Sequence, residues 1–247
     1  MGKAKEMIVA PIEGRDAFRF IREHHYSHKV VSNSQVHFGA HLNGKLLGVM
    51  QFGPPMDRRK SAALVKNTPL RGMLELNRMA FAEELPRNSE SRALGIVLRL
   101  MRKELPAIRW VISFADATQC GDGTIYRAAG FTLTAVRKNQ TIIKMPDGSI
   151  AAKHGLAGAW QRAGTPLPGF QVRYIYFLDP SAREDLTVEA LPYSALKEMG
   201  ASMYRGERAG SIEVDAPAVQ AGEGGSIPTP ALHPQGAVIG HPRVEEE

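Results

Sequence analysis

The segment Arg109–Phe131 constrains the fold of this chain more than any other part of the sequence. It begins with an almost continuous apolar run, Trp110–Ala115, of the kind found in the central strand of a sheet. Asp116 follows directly, and a glycine-rich turn then leads into a short helix, Thr124–Ala129, that contains Tyr126. Open α/β sheets bind their ligands beyond the carboxyl ends of their strands. The segment therefore predicts a buried strand with an acid and a phenol near a ligand site.

The flanking sequence predicts a mixed central sheet with helices on its faces, a fold of the α/β (α+β) class. Residues 13–25 and 88–105 have helical periodicity, and Asn43-Gly44 predicts a hairpin turn. We expect the last two strands before residue 146 to pair with each other. The predicted strands are Val36–Leu42, Lys45–Phe52, Met73–Phe81, Trp110–Ala115, Phe131–Arg137, Thr141–Met145 and Gln171–Leu178.

The chain divides by composition into a body, residues 1–205, and a tail, residues 206–247. The tail is rich in Pro, Gly and Ala and nearly free of aromatic residues, so it cannot bury enough surface to offset its ordering entropy. We expect one domain followed by a disordered C-terminal tail.

The charge of the body points to a polyanion. The whole chain has 31 basic and 25 acidic residues, of which the tail holds two basic and seven acidic. The body therefore has 29 basic and 18 acidic residues, a net charge of +11. Such a balance favours nucleic acid as a partner, although a Lys- and Arg-rich soluble surface is the alternative.

Several other classes of protein are not expected. The apolar runs are far shorter than a membrane span, and the N-terminus lacks the features of a secretory signal. Cys120 is the only cysteine, which excludes an intramolecular disulfide and a multi-cysteine zinc site. No base lies beside Cys120 in the sequence, so it is a poor candidate nucleophile. We expect a cytoplasmic protein that does not bind a membrane.

Two charged residues are candidates for catalysis. Asp116, partly desolvated at a strand end, suits a general base, and its alternative role is an Asx turn or helix cap. Arg78 lies in a predicted strand with Leu76 and Ala80 on its face, where a charge needs a partner. That partner could be Asp116 or a phosphate or carbonyl of the substrate, and a structural ion pair is the alternative.

The start of the helix at residues 88–105 is a candidate cofactor-binding site. Free backbone N–H groups at a helix start bind phosphate. The sequence has no dinucleotide-binding or Walker motif here, so a plain capped helix is the alternative. The side chains that could add contacts are Arg87, Asn88, Ser89 and Ser91.

Basic and histidine clusters offer further sites. Arg58-Arg59-Lys60 and Arg137-Lys138 could contact DNA phosphates, or could simply be solvated surface. The run His24-His-Tyr-Ser-His28, in which His24 and His28 have the spacing of a metal-binding pair, could form a metal site with Asp116. Polar packing or DNA contact is the alternative for these histidines.

Tyr126 carries a first resemblance, because Gly130-Phe131 follows it as in N-acyltransferases. The layout resembles the GNAT N-acetyltransferase fold, which implies that the phenol protonates a leaving thiolate. A core tyrosine is the alternative. The segment Arg87–Gly95 holds one glycine, placed late, and so departs from that family's phosphate loop. The donor is therefore open: acetyl-CoA or another activated carrier.

A second resemblance covers about residues 20–205, and its motifs are specific in combination. They are His25-Tyr-Ser27, Gly48-Val-Met-Gln-Phe-Gly-Pro-Pro55, Glu75-Leu-Asn-Arg-Met-Ala80, Leu85-Pro-Arg-Asn-Ser-Glu-Ser91, Ser113-Phe-Ala-Asp116, Gly123-Thr-Ile-Tyr126 and Leu167–Tyr176. They resemble the phage Mu Mom-like DNA-modification family. The resemblance implies conversion of adenine in double-stranded DNA to N6-carbamoylmethyladenine, which shields phage DNA from host restriction.

The Mom-like resemblance also implies roles for single residues. It implies that Arg78, Ser91, Asp116 and Tyr126 are functional positions. His25 is a further candidate, because iron has been suggested for the family. Two other classes of function stay open: a conventional acetyltransferase acting on a small amine or a protein, and a catalytically inactive DNA-binding protein. A homodimer is also left open.

Overall fold

The computed structural model describes residues 3–118, 121–156, 158–204 and 207–208. The helices are α1 (Gly14–His24), α2 (Arg58–Ala62), α3 (Ser89–Glu104), α4 (Thr124–Ala128), α5 (Trp160–Ala163) and α6 (Ser194–Glu198), with 3-10 turns at Lys3–Glu6, Lys153–Gly155 and Pro180–Arg183. The strands are β1 (Ile8–Pro11), β2 (Val36–Leu42), β3 (Lys45–Gly53), β4 (Met73–Phe81), β5 (Trp110–Ala117), β6 (Thr132–Lys138), β7 (Ile142–Lys144), β8 (Ile150–Ala152), β9 (Thr165–Pro166), β10 (Phe170–Phe177), β11 (Met203–Tyr204) and β12 (Glu207–Arg208).

Seven strands form one mixed sheet, in the order β1-β2-β3-β4-β5-β10-β6. All neighbours are antiparallel except β4 and β5, which are parallel. The predicted mixed sheet with flanking helices is therefore confirmed. The predicted pairing of β6 with β7 is wrong, because β10 inserts between β5 and β6 while β7 joins β8 and β9 in a small separate sheet.

Two glycines end elements as the sequence predicts. Asn43 and Gly44 both have positive φ angles, 52° and 75°, which matches the twist of the β2–β3 hairpin. Gly130, at φ 88°, ends α4 in the left-handed conformation. The predicted tail is described only at residues 207–208, which form β12. The rest of the tail, and the interpretation of Cys120, lie outside the described residues.

The two faces of the large sheet are covered differently. On one side, here the α3 face, buried residues of α3 pack against Leu74, Leu76, Val111 and Ala115. On the other side, here the α1 face, α1 covers Val49 and Ala80. A second cluster on the α1 face, around Val65, covers Met73, Trp110 and Ile112. Neither of these two clusters includes the last residues of β5.

A gap opens between the two parallel strands. They pair only from Met73–Glu75 to Trp110–Ile112, at the start of each strand. Beyond that point β4 is paired on its β3 side alone, and β5 is paired on its β10 side alone. Helix α3 connects β4 to β5, so its N-terminus lies at the end where the strands part. No helix in the described part of the chain is long and apolar enough to cross a membrane.

Candidate active site

Asp116 lies on the α1 face near the end of β5, and three donors hold one of its oxygens. Its Oδ1 accepts the Thr118 N–H at 3.1 Å, the Thr118 hydroxyl at 2.5 Å and the Gln171 side-chain amide at 2.9 Å. The Thr118 contacts form the Asx turn that the sequence offered as an alternative. The Gln171 contact comes from β10, 55 residues later in the chain. The carboxylate is therefore fixed in one orientation at an open strand end.

Register places Asp116 in a row of polar side chains. Asp116 is opposite Gln171 on β10, and Gln171 is opposite Arg137 on β6. Directly opposite residues of antiparallel strands point to the same face. Arg137, predicted to bind DNA, therefore lies two strands from the predicted catalytic acid and on the same face, and Lys138 follows it at the end of β6.

A second row on the same face lies two residues earlier along β5. Phe114 is opposite Arg173, and Arg173 is opposite Ala135. The Arg173 guanidinium donates through Nε to the Thr134 hydroxyl at 3.0 Å and through NH2 to the Thr134 carbonyl at 3.2 Å. Burial, reinforced by the charge of Arg137, lowers the pKa of Arg173 from its usual value. Arg173 on β10 and Arg137 on β6 thus place two guanidinium groups on the same side of Asp116.

Arg78 points to the same face from the other side of the gap, but its surroundings differ from those predicted. On β3, Gln51 is opposite Arg78 of β4, and the next residue, Phe52, is opposite Leu76. Asn77 is therefore an extra residue on β4 that forms a bulge. The bulge reverses the alternation, and Leu76 packs on the α3 face whereas Ala80 packs on the α1 face. The expectation that Leu76 and Ala80 share the face of Arg78 is therefore wrong for Leu76.

The guanidinium of Arg78 is held by backbone oxygens. Nε donates to the Lys29 carbonyl at 3.0 Å and NH1 donates to the Asn77 carbonyl at 2.7 Å. Within the described residues it forms no ion pair with Asp116, one of the partners proposed from the sequence. The charge of Arg78 acts on Glu75. Burial raises the pKa of Glu75 above its usual value, and the positive charge of Arg78 offsets part of that rise.

His25 is buried directly after α1, and its ring is neutral. Burial, with the charges of Arg78 and His28, lowers the pKa of His25 to about 4. Its Nδ1 accepts the Ser27 N–H at 3.1 Å, which places the ring proton on Nε2. Tyr26 stacks on His25 with ring centroids 4.4 Å apart, and half of Tyr26 is exposed.

The iron that the resemblance suggests does not fit these histidines. Nδ1 of His25 is occupied by Ser27, and Nε2 of the neutral ring carries the proton and has no lone pair to donate. Nδ1 of His28 donates to the Arg22 carbonyl at 2.8 Å, which leaves Nε2 of His28 as its one possible ligand atom. Among the described residues, no three His, Cys, Asp or Glu side chains are arranged to hold a metal ion. The predicted metal site at His25 is therefore not supported.

Tyr126 lies on the opposite side of the sheet from Asp116. It packs in the cluster of the α3 face, with its ring 5.3 Å from those of Phe131 and Tyr174. The phenol of Tyr126 is almost fully buried, as the core-tyrosine alternative predicts. A role in chemistry therefore requires a donor that reaches it from the α3 face.

The predicted cofactor-binding residues at the start of α3 differ in their exposure to solvent. Ser89 is fully buried and its hydroxyl donates to the Pro86 carbonyl at 2.6 Å, so it faces no ligand in this conformation. Ser91 is half-buried, with its hydroxyl 3.4 Å from the Asn88 carbonyl. Asn88 precedes the helix in the left-handed conformation and makes no side-chain cap bond, and Arg87 is exposed.

The basic cluster Arg58-Arg59-Lys60 forms the first turn of the short helix α2. All three side chains are exposed, and Lys60 pairs with Asp57 at 3.3 Å. Arg58 and Arg59 line an open groove of about 720 Å³ together with Met56. Ala62, at the end of α2, packs against the Val65 cluster, so the helix lies on the α1 face.

Sequence reasoning missed three residues of this region. Gln171 and Phe114 become relevant only through the β5–β10 register. Ser113 is the first β5 residue beyond the pairing with β4, and its buried hydroxyl has no hydrogen-bond partner among the described residues. The sequence signals for Ser113 were a single hydroxyl within an apolar strand and its place in the motif Ser113-Phe-Ala-Asp116.

The fold and site define an α/β protein whose candidate site lies at the open ends of two diverging central strands. The chain belongs to the Mom protein family, whose sequence model matches residues 6–195. It is 33% identical over 199 residues to the "Methylcarbamoylase mom" of Escherichia phage Mu, covering 75% of this chain and 81% of the relative.

Solved acetyltransferases show a distant likeness in shape. The ribosomal-protein-S18-alanine N-acetyltransferase of Escherichia coli is 12% identical, with 70% of this chain and 94% of that chain covered and a TM-score of 0.42. The polyamine N-acetyltransferase of Drosophila melanogaster is also 12% identical, with 69% and 99% covered and a TM-score of 0.44. Both TM-scores lie below 0.5.

Proposed function

We propose that this protein is a DNA-modifying transferase that converts adenine in double-stranded DNA to N6-carbamoylmethyladenine. Its membership of the Mom family and its identity to a methylcarbamoylase support the type of reaction. The net charge of +11 on residues 1–205 supports DNA as the carrier of the acceptor base.

The observation that carries the proposal is the row Asp116–Gln171–Arg137 at the open end of the sheet. It combines a fixed carboxylate with a neighbouring guanidinium on one accessible face. A weakly nucleophilic exocyclic amine needs a positioned group that removes its proton, and a DNA strand needs positive charge for its phosphates. The row provides both functions within three adjacent strands.

In the proposed reaction, N6 of adenine forms a bond to the donor carbon. The bond between that carbon and the leaving group breaks, and its electron pair stays with the leaving group. The N6 proton moves to Asp116, and Tyr126 donates a proton to the leaving group. Arg78 stabilises negative charge that develops in the transition state.

Because of the gap between β4 and β5, the two substrates could approach each other from opposite faces of the sheet. Asp116 lies on the α1 face and Tyr126 on the α3 face, and the gap beside β5 would connect the two faces. The donor, an activated carrier of the –CH2–CO–NH2 group, would enter from the α3 face near the start of α3. There it meets Ser91 and the buried hydroxyl of Ser113.

Adenine would reach Asp116 by leaving the duplex. N6 takes part in base pairing, so the base must be extruded, at a cost of a few kcal/mol. The exposed Arg58 and Arg59 on α2 and Arg137 on β6 lie on the α1 face, where phosphates of the distorted strand would contact them.

Mass analysis of nucleosides tests the proposal. DNA from cells that produce this protein should contain a mass-shifted deoxyadenosine. Unshifted DNA together with an acetylated metabolite or protein would favour a conventional acetyltransferase, and DNA binding without turnover would favour an inactive binding protein.

A further inference from the structure

Phe114 is an uncovered aromatic side chain on a central strand of the sheet. It is 47% exposed, whereas its neighbour on the same face, Ile112, is 1% exposed. The cluster around Val65 ends at Ile112, and the cluster under α1 covers β3 and β4 instead. The aromatic ring of Phe114 is therefore left facing outward beside Asp116.

We propose that Phe114 is the surface on which the extruded adenine stacks before group transfer. This inference rests on the proposed function, because it concerns the acceptor of that reaction. Phe114 and Asp116 are two residues apart on one strand, which places them on the same face at a spacing of about 6.6 Å. A purine spans that distance, so a base lying on the ring would direct its exocyclic amine toward the carboxylate.

The neighbours of Phe114 fit a nucleotide better than an apolar peptide. Arg173 lies directly opposite Phe114, while Asp116 and Gln171 form the next row. An aromatic ring set among cations and hydrogen-bonding groups is the pattern of single-stranded nucleic-acid sites, in which bases stack while cations bind the backbone. Thr134 fixes the Arg173 guanidinium, so this charge is positioned before DNA arrives.

A binding comparison separates stacking from charge. The probes are single-stranded oligodeoxyadenylate and an abasic strand of the same length, which carry equal charge and differ in their bases. The wild-type protein should prefer the adenine strand by about tenfold or more. Phe114→Ala should bind both strands alike. Ile150→Ala, which alters an equally exposed apolar residue on β8, should keep the preference.

Two further variants test the chemical nature of the contact. Phe114→Tyr keeps an aromatic ring and should keep the preference, whereas Phe114→Leu keeps apolar surface and should lose it. No preference in the wild type, or an unchanged preference in Phe114→Ala or Phe114→Leu, would overturn the inference.

A measurement in cells distinguishes this inference from the proposed function. The fraction of modified adenine in cellular DNA should fall about tenfold to hundredfold in Phe114→Ala and stay unchanged in Ile150→Ala. Unmodified DNA with the wild-type protein would refute the proposed function itself. Equal modification by wild type and Phe114→Ala would refute only the stacking role.

Discussion

Gln171 positions Asp116 across a strand boundary: its side-chain amide donates a 2.9 Å hydrogen bond to Oδ1 of the carboxylate. Bonds to charged groups contribute about 1.5–3 kcal/mol. We therefore expect Gln171→Ala to lower DNA modification about tenfold, because Asp116 loses a fixed orientation. The measurement is the fraction of modified adenine in DNA from cells that produce each variant.

A matched control for this variant is Gln140→Ala, which removes an exposed glutamine from a loop. It should modify DNA as the wild type does. Both variants should keep the wild-type affinity for DNA, because neither removes a positive charge. Full modification by Gln171→Ala would show that Asp116 needs no support from β10.

Tyr126 offers a test of the proposed proton donor. Tyr126→Phe keeps the ring that packs against Phe131 and Tyr174, so the fold should be retained. Loss of the phenolic proton should slow transfer at least about hundredfold, the usual lower range for general acid catalysis. Thermal unfolding and DNA binding should match the wild type. Wild-type modification by this variant would leave Tyr126 as a core residue only.

The local elements of this fold could be predicted because their signals are local. Strand β2 and strand β4 have the bounds that the sequence predicts, and Asn43-Gly44 forms the expected turn. The bulge at Asn77 could not be predicted, since it depends on how β4 aligns with β3. That single extra residue decides which face Arg78 occupies.

The candidate site was harder to predict than the elements that carry it. The sequence identified Asp116 at a strand end, but its partner Gln171 lies on β10, which inserts between β5 and β6. Strands that follow each other in sequence usually pair, and that rule gave the wrong neighbour for β6. Nothing in the sequence alone distinguished Phe114 from a buried strand residue.

Salt dependence tests the role of the basic residues. DNA affinity should fall steeply with salt, with a logarithmic slope near −0.9 per phosphate contacted. The double variant Arg58→Ala/Arg59→Ala should reduce the magnitude of that slope by about 1–2. Lys197→Ala is the control, because this exposed lysine is on α6, whose Leu196 packs on the α3 face. A wild-type affinity that does not change with salt would remove the polyanion argument.

His25 should make stability depend on pH. Its pKa is about 4 in the folded protein against 6.5 for an unperturbed histidine, so the unfolded chain binds more protons between these values. The free energy of unfolding should therefore fall as the pH drops from about 6.5 toward 4, by about 2 kcal/mol between pH 7 and pH 5. Urea unfolding of His25→Gln should lack this component. An identical pH dependence in the variant and the wild type would contradict the burial of a neutral His25.

The proposed modification of adenine through Asp116 is tested by mass spectrometry of nucleosides from DNA of cells that produce the wild-type protein or Asp116→Asn. Asparagine keeps the shape of the side chain but cannot accept the N6 proton. We predict a mass-shifted deoxyadenosine with the wild type and none with Asp116→Asn, although the variant still binds DNA. Unshifted adenine with folded wild-type protein, or equal modification by both proteins, would contradict the proposal.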